Sequence, residues 1–411
     1  MSDAPADASL LRTPGFLKLW LAHTVSQLGD RLHQLALMWW TMVQTGSVAQ
    51  TGAVLIASTL PAVLLGPLAG TLADRVERRR LMVLSDLARA GVVAALAWLA
   101  WHGALTVPVA LLASACLSAL TTLFAPAALA TLPSVVSSSQ VMRATSWMES
   151  SQHGASLAGP VLGGLLVAGA GSAGAFALNA GSFLLSGLLL AGLPRQGLPP
   201  GPAAESFLAA SRGGFRLLRL DPTVAGVLTC FATVNIFTMP VILFMPYFAR
   251  EVFQVGAAGL GWMEGALGLG MLLAALALAT RLRVRRPFPW VAGGIAGVAL
   301  AIAAMGQWPS FPLHLAALAL AGLCMGGVNV VTIAWFQGRI PPAEAGRFFG
   351  LMTSICSGLI PLSYGVYGML AEHLAPAALL RVNAVAIGAL AIALAWVPGF
   401  RRAGQAPSAD A

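Results

Sequence analysis

Asp30 with Arg31, Asp86 with Arg89, Glu149 with His153, and Glu264 are ionisable side chains lying inside long apolar runs of this 411-residue chain. At mid-bilayer depth an ionised group costs about 2.5–3.5 kcal/mol on insertion scales, so each needs a counter-charge or a task. The chemistry open to such carboxylates is proton exchange and recognition of a cation, because burial disfavours the charged form and makes protonation easier. Helical spacing aligns His23, Gln27, Asp30 and Gln34 on one face, with His33 one position round and Arg31 about 100° away from Asp30. A polar stripe of this kind is expected to face a central cavity, the alternative being that Asp30 bonds neighbouring helices and only fixes span 1. Glu149, His153 and Ser156 follow at i, i+4 and i+7 and share a second face, where Glu149 reads either as a proton carrier or as one half of a buried pair, with Arg31 a candidate partner. Glu264, beside Trp262 about two turns from the outer end of its span, reads as a site for a cationic substrate, as a seal of the outer gate, or as a residue exposed near the headgroups. Asp86 and Arg89, at i and i+3, read as a structural pair serving the basic loop just before them. Asn179, Asn235, Asn329 and Gln337 are uncharged polar groups in apolar runs, for which hydrogen bonding between helices is the default.

No other chemistry is written in the chain. His23, His33, His102, His153, His314 and His373 have no metal-ligand spacing with carboxylates on a shared helix face, and no nucleophile elbow or phosphate loop occurs. The four cysteines, Cys116, Cys230, Cys324 and Cys356, each fall in an apolar run with no CxxC spacing. Catalytic residues, metal and cofactor are therefore expected to be absent. Without a nucleotide site, any energy must come from a gradient, with a proton gradient the natural source.

The elements that must position these groups are membrane helices. Hydrophobic residues make up 58% of the chain and charged ones 9%, far below the roughly 25% charge of soluble domains. Apolar runs predict twelve spans, over 16–43, 49–73, 79–101, 105–132, 140–168, 172–193, 223–250, 257–280, 287–306, 310–337, 344–371 and 376–397. The net charge of +9 is placed in the short loops, which argues for topology and against nucleic acid. Apart from Arg250, Arg381 and the intramembrane Arg31 and Arg89, every Lys and Arg falls on the side that holds both termini, so both termini are expected in the cytoplasm. The predicted organisation is a disordered tail over 1–14, a six-helix bundle over 15–193, a linker over 194–222, a second six-helix bundle over 223–398 and a tail over 399–411. The linker begins with a Pro- and Gly-rich stretch and continues, from Glu205 to Leu220, as a basic amphipathic helix suited to a membrane surface. Weak half-to-half symmetry, with Asp30 matching about Asn235, predicts two pseudo-symmetric bundles around a midplane site. Met38, Trp39, Trp40, Phe231, Phe237, Met239, Phe244 and Met245 are candidates to line an aromatic, Met-rich pocket.

Three motifs give this all-α, twelve-helix plan a family resemblance. The loop after the second span, Gly70-Thr71-Leu72-Ala73-Asp74-Arg75-Val76-Glu77-Arg78-Arg79-Arg80, resembles the loop motif of the major facilitator superfamily, matching at Gly70, Leu72, Ala73, Asp74, Arg75, Arg78 and Arg79. It departs at Glu77, where the family usually has glycine. The resemblance implies that Asp74 braces the start of span 11, near Glu344 to Phe348, and latches one state of an alternating cycle. In span 5, Gly154, Gly159, Pro160, Gly163 and Gly164 resemble the family's antiporter motif, with Ala155 in the place of its first glycine. Phe16 to Trp20, Ser26 to Asp30 and Trp39-Trp40 look like the macrolide and multidrug efflux branch. The resemblance implies a monomeric exporter in a bacterial plasma membrane. It would move small amphipathic molecules by proton antiport, with lipid as its surroundings; the substrate or proton candidates, read from their own positions inside the spans, are Asp30, Arg31, Gln34, Glu149, His153, Asn235, Glu264 and Asn329. A lysolipid or siderophore exporter of the same fold, or a membrane sensor that does not transport, are the alternatives.

Overall fold

The computed structural model describes residues 10–73, 76–194, 218–219, 221–280, 284, 286–307 and 310–402, and among these the chain forms helices and short turns with no strand. The helices are α1 (Pro14–Thr45), α2 (Val48–Ala73), α3 (Arg78–Trp101) and α4 (Val107–Val135). Val141–Ala191 follows as one run of 51 residues, about 77 Å at 1.5 Å per residue. That is more than twice the roughly 30 Å of a hydrocarbon core. The run breaks at Gly171 (φ 70°, ψ 174°), a conformation that suits glycine, so residues 141–170 are α5 and 172–191 are α6. After the linker come α7 (Pro222–Val252), α8 (Gly256–Thr280), α9 (Pro287–Met305), α10 (Phe311–Arg339), α11 (Pro342–Leu370) and α12 (Pro376–Trp396). Ten of the described helices are long and apolar enough to cross a membrane. That count takes α5 and α6 together and leaves out α1, whose hydropathy is lowered by its polar stripe.

Helix ends follow local chemistry. Pro14 opens α1 at a position where its missing N–H costs nothing. Gly46, left-handed at φ 64°, closes α1 with its N–H on the Met42 carbonyl at 2.9 Å. The negative pole of α6 receives two cations: Lys18 Nζ donates to the Gly192 carbonyl at 2.9 Å, and Arg79 donates to the Ala191 carbonyl. Asp221 caps α7, accepting the N–H groups of Thr223 at 3.0 Å and Val224 at 3.2 Å, and its other oxygen takes Arg339 Nε at 2.9 Å.

The described residues divide into two compact units. One comprises those of Met1–Gly46, Ala53–Ala204 and Val255–Gly261, and the other those of Ser47–Gly52, Glu205–Gln254 and Trp262–Ala411. In the first, α1 packs along α5 and α6, and α3 along the same helices and α4. Phe16, Leu19, Phe124, Leu132, Met148 and Leu190 fill one core. In the second, α9 packs on α10 and α12, while α7 packs on α11 and α12. Inside α7, Pro240 has no N–H to give the Ile236 carbonyl. Ser363 Oγ of α11 supplies that hydrogen bond instead at 2.7 Å, and Asn383 Nδ2 of α12 donates to the next carbonyl, Phe237, at 3.2 Å. The bend in α7 is therefore paired rather than left open.

The described chain reaches further into both predicted tails than the sequence reading places it. Leu10–Arg12 form a 3-10 turn, and Leu10 is buried in the first core, where a disordered segment through residue 14 is expected. Phe400, expected in a tail from 399, is fully buried with its ring against Phe288 and Trp335. In each case one apolar side chain ties down polar neighbours. The amphipathic segment predicted over Glu205 to Leu220 lies outside the described residues except for Leu218 and Arg219, which are helical.

Candidate functional site

A cavity of about 740 Å³ opens within the first unit between α1, α2 and α4. Gln27, Asp30, Arg31, His33 and Gln34 of α1 form its polar side, and Leu37, Met38, Val54, Leu55 and Leu117 its apolar side. Hydroxyls of α2 and α4 complete the wall. Ser58 and Thr59 both donate to the Leu55 carbonyl at 2.8 Å, Ser114 to Ala110 at 2.7 Å and Thr122 to Ser118 at 2.7 Å. Their protons are committed to the helix backbone, so they face the cavity as acceptors.

Asp30 is held at a crossing of three helices. An added Cβ on Gly29 would stand 2.2 Å from Ser182 Oγ and 2.3 Å from Asn179 Oδ1, both of α6. On the α5 side, Gly159 abuts Arg31 Cβ and Gly163 abuts the Leu32 backbone. These glycines are what let α1 approach α5 and α6 closely enough to bury the residues around Asp30. Gly164 packs against Gly261 and the Ala257 carbonyl, and the Pro160 carbonyl lies against Gly261. Gly154, by contrast, is exposed with open space around it.

Behind Asp30 lies a buried charge cluster from α3. Arg89 Nη1 is 3.8 Å from Asp30 Oδ2, and Arg89 Nη2 bonds Asp86 Oδ1. Ser186 of α6 donates to Asp86 Oδ2 at 2.6 Å. The guanidinium carbon of Arg89 lies 4.6 Å from the Phe124 ring centre and 4.5 Å from that of Phe183. Asp86 and Arg89 do pair, as their spacing predicts, but their further partners among the described residues include Asp30 and Ser186 and no residue of the basic loop. Two of the loop arginines are engaged elsewhere: Arg78 donates to the Ala130 carbonyl of α4 at 2.8 Å and Arg79 caps α6. Of the loop motif, Gly70 lies in the last turn of α2, while Asp74 and Arg75 lie outside the described residues.

The other predicted residues are dispersed. Glu149 and His153 are both exposed on α5, so the burial on which the proton-carrier argument for Glu149 rests is not found there. Arg31 lines the cavity rather than reaching Glu149. In the second unit Asn235 folds back to donate to the Phe231 carbonyl of its own helix at 2.9 Å, rather than bridging helices. Asn179 likewise meets Ser182 one turn on, at 3.0 Å. Glu264 of α8 is half-buried and in electrostatic contact with Tyr364 of α11, and Asn329 is half-buried on α10. Of the aromatic and Met candidates, Met38 lines the cavity, and Trp40, Phe244 and Met245 are buried. Sequence reasoning passed over Ser186, Phe124 and Phe183 and, while pairing Arg89 with Asp86, gave the pair the basic loop in place of Asp30. No spacing within α3 points to α1 or α6.

A cavity set in a helical bundle, with a carboxylate on its wall and a counter-charge behind it, is the build of a membrane transporter. The Major Facilitator Superfamily model matches residues 19–364, and the chain belongs to that family of transporters. Macrolide efflux protein A of Streptococcus pyogenes is 22% identical over 365 residues, spanning 87% of this chain and 90% of that protein. Multidrug efflux pump Tap of Mycobacterium tuberculosis (strain CDC 1551 / Oshkosh) is 28% identical over 414 residues, 97% of each chain. Among solved structures, a bacterial homologue of the iron transporter ferroportin in an inward-facing state superposes with a TM-score of 0.71 at 15% identity, covering 95% of this chain and all of that one. The nucleoside transporter NupG gives 0.69 at 14% identity, covering 93% of this chain and 98% of that one. At these identities the structural likeness speaks for the fold alone.

Proposed function

We propose that this transporter exports amphipathic small molecules by alternating access in exchange for protons, across a bacterial plasma membrane with both termini in the cytoplasm. The reading rests on one observation: a cavity of about 740 Å³ with one polar and one apolar side carries, among the described residues, a single carboxylate, Asp30, on its wall. A cavity of this size suits a drug-sized ligand. Asp30 is about one-third exposed, so it can exchange a proton with the cavity while its counter-charge stays buried. The full-length similarity to two efflux proteins favours export. Asp74 acts as the latch of the cycle, and the glycines from Gly159 to Gly164 keep α5 tightly packed while the cycle turns.

The test uses purified protein in proteoliposomes with an imposed pH gradient and two probes, radiolabelled erythromycin and ethidium. Gradient-driven movement of at least one probe is expected, with the gradient response lost in Asp30→Asn. Full gradient response in Asp30→Asn, or no movement of either probe in the wild type, would sink the proposal.

A further inference from the structure

Arg89 is shared by two carboxylates of unequal standing. Asp86 is fully enclosed, bonded to Arg89 through one oxygen and to the Ser186 hydroxyl, at 2.6 Å, through the other. Asp30 is 31% exposed and lies 3.8 Å from Arg89 Nη1, beyond hydrogen-bond length. The guanidinium is 1% exposed and sits against the rings of Phe124 and Phe183, with Thr121 Oγ1 of α4 at 3.5 Å. Two rings, one carboxylate and one hydroxyl thus hold Arg89 in place without help from Asp30.

We propose that Arg89 is the positioning residue for Asp30: anchored on Asp86 and Ser186, it presents a stationary counter-charge to the cavity carboxylate and sets how readily that carboxylate takes a proton. This rests on the reading of Asp30 as the proton carrier. The charges make the roles unequal. When Asp30 takes a proton from cavity water, Arg89 keeps Asp86 and a neutral buried pair remains. When Asp30 gives the proton back, its negative charge returns beside Arg89, and no group needs to move. Asp86 cannot take over the proton without giving up its direct ionic bond to Arg89, which would leave the enclosed guanidinium only the longer 3.8 Å approach of Asp30, the costlier arrangement. Among the described residues, the other titratable or charged groups around this cluster are Arg31, His23 and His33 of α1. α2, α4 and α6 bring only hydroxyls, amides and apolar groups to it, and α5 meets α1 through glycine.

The experiment reads Asp30 directly. In purified wild-type protein, infrared difference spectra are recorded across a pH titration, and the carboxyl band missing from Asp30→Asn is the Asp30 signal. Removing the counter-charge in Arg89→Gln is expected to move the midpoint of that band to higher pH by about one unit or more, because a cation within about 4 Å favours the ionised carboxylate. Removing the competing carboxylate in Asp86→Asn should move it to lower pH, since Arg89 then serves Asp30 alone. Arg89→Lys, which keeps the charge, should stay near the wild type. A merely structural role would not split the two variants in opposite directions. Midpoints that do not move, or move together, overturn the proposal, as does the absence of any band that Asp30→Asn removes. If Arg89→Gln does not yield monodisperse protein, Asp86→Asn decides alone: a shift to lower pH supports the assignment, and no shift or a shift upward ends it. Should proton-driven export survive in Asp30→Asn, the exporter reading fails while these midpoints still decide the role of Arg89.

Discussion

Gly29→Ala is the sharpest test of how α1 is held. The new methyl would lie 2.2 Å from Ser182 Oγ and 2.3 Å from Asn179 Oδ1, against the roughly 3.5–4.0 Å at which heavy atoms rest. Neither neighbour is a long chain that can swing aside: Ser182 and Asn179 are bonded to each other at 3.0 Å, and Asn179 is fully buried. Relief therefore requires α1 and α6 to part by roughly 1 Å, an overpacking strain worth about 1–3 kcal/mol. Because Asp30 is the next residue, the same displacement would lengthen its 3.8 Å approach to Arg89. Reversible unfolding in mixed micelles measures the cost. Gly181→Ala on α6, where a Cβ would meet nothing within 4 Å, is the control and should lie within about 0.5 kcal/mol of wild type. Placing Gly29→Ala in an Asn179→Ala, Ser182→Ala background should recover part of the loss, as coupled neighbours do. If Gly29→Ala is as stable as Gly181→Ala, or costs the same with and without its two neighbours, the close crossing of α1 and α6 is refuted.

Two further outcomes are expected. Ser363→Ala strands the Ile236 carbonyl that Pro240 leaves without its helical donor and should cost about 1–3 kcal/mol in the same unfolding assay, while Ser363→Thr should keep most of the stability. At the start of α7, burial alone would raise Asp221. The Arg339 hydrogen bond, the Val224 N–H, the Arg339 charge and the Thr223 N–H outweigh it and hold the carboxyl below its ordinary value. A depressed carboxylate adds stability that is present above its unfolded-state value and is lost as pH falls through its folded-state value. Thermal stability should thus drop on acidification, and Asp221→Asn should flatten that part of the profile.

What could be read in the sequence was what depends on one helix at a time. Gln27, Asp30 and Gln34 could be grouped because a helix repeats every 3.6 residues, and the cavity takes all three from α1. The same period grouped Glu149 with His153, but periodicity says only that two residues share a face, not which way it points, and theirs is exposed. Arg89 shows the larger limit. Its relation to Asp86 is local and legible, whereas its approach to Asp30 depends on α1 crossing at Gly29, a contact made by the absence of a side chain. Asn235 failed for the opposite reason: a nearby backbone carbonyl one turn back satisfied it before any neighbouring helix could. The break at Gly171 was visible as a gap between two apolar runs, although the chain stays helical up to it from both sides.

The i, i+3 pairing of Asp86 with Arg89 has a consequence for how this protein is made. An arginine entering lipid alone is among the most expensive residues to insert, at about 2.5–3.5 kcal/mol even on translocon scales. α3 brings its own neutralising partner less than one turn away, so the segment is electrically self-sufficient before α4 and α6 have been synthesised. Biogenesis of α3 then does not have to wait for the helices that later enclose it. A chain carrying Asp86→Asn is expected to give a lower yield of inserted protein, a cost met at the translocon and separate from any change in the molecules that do fold.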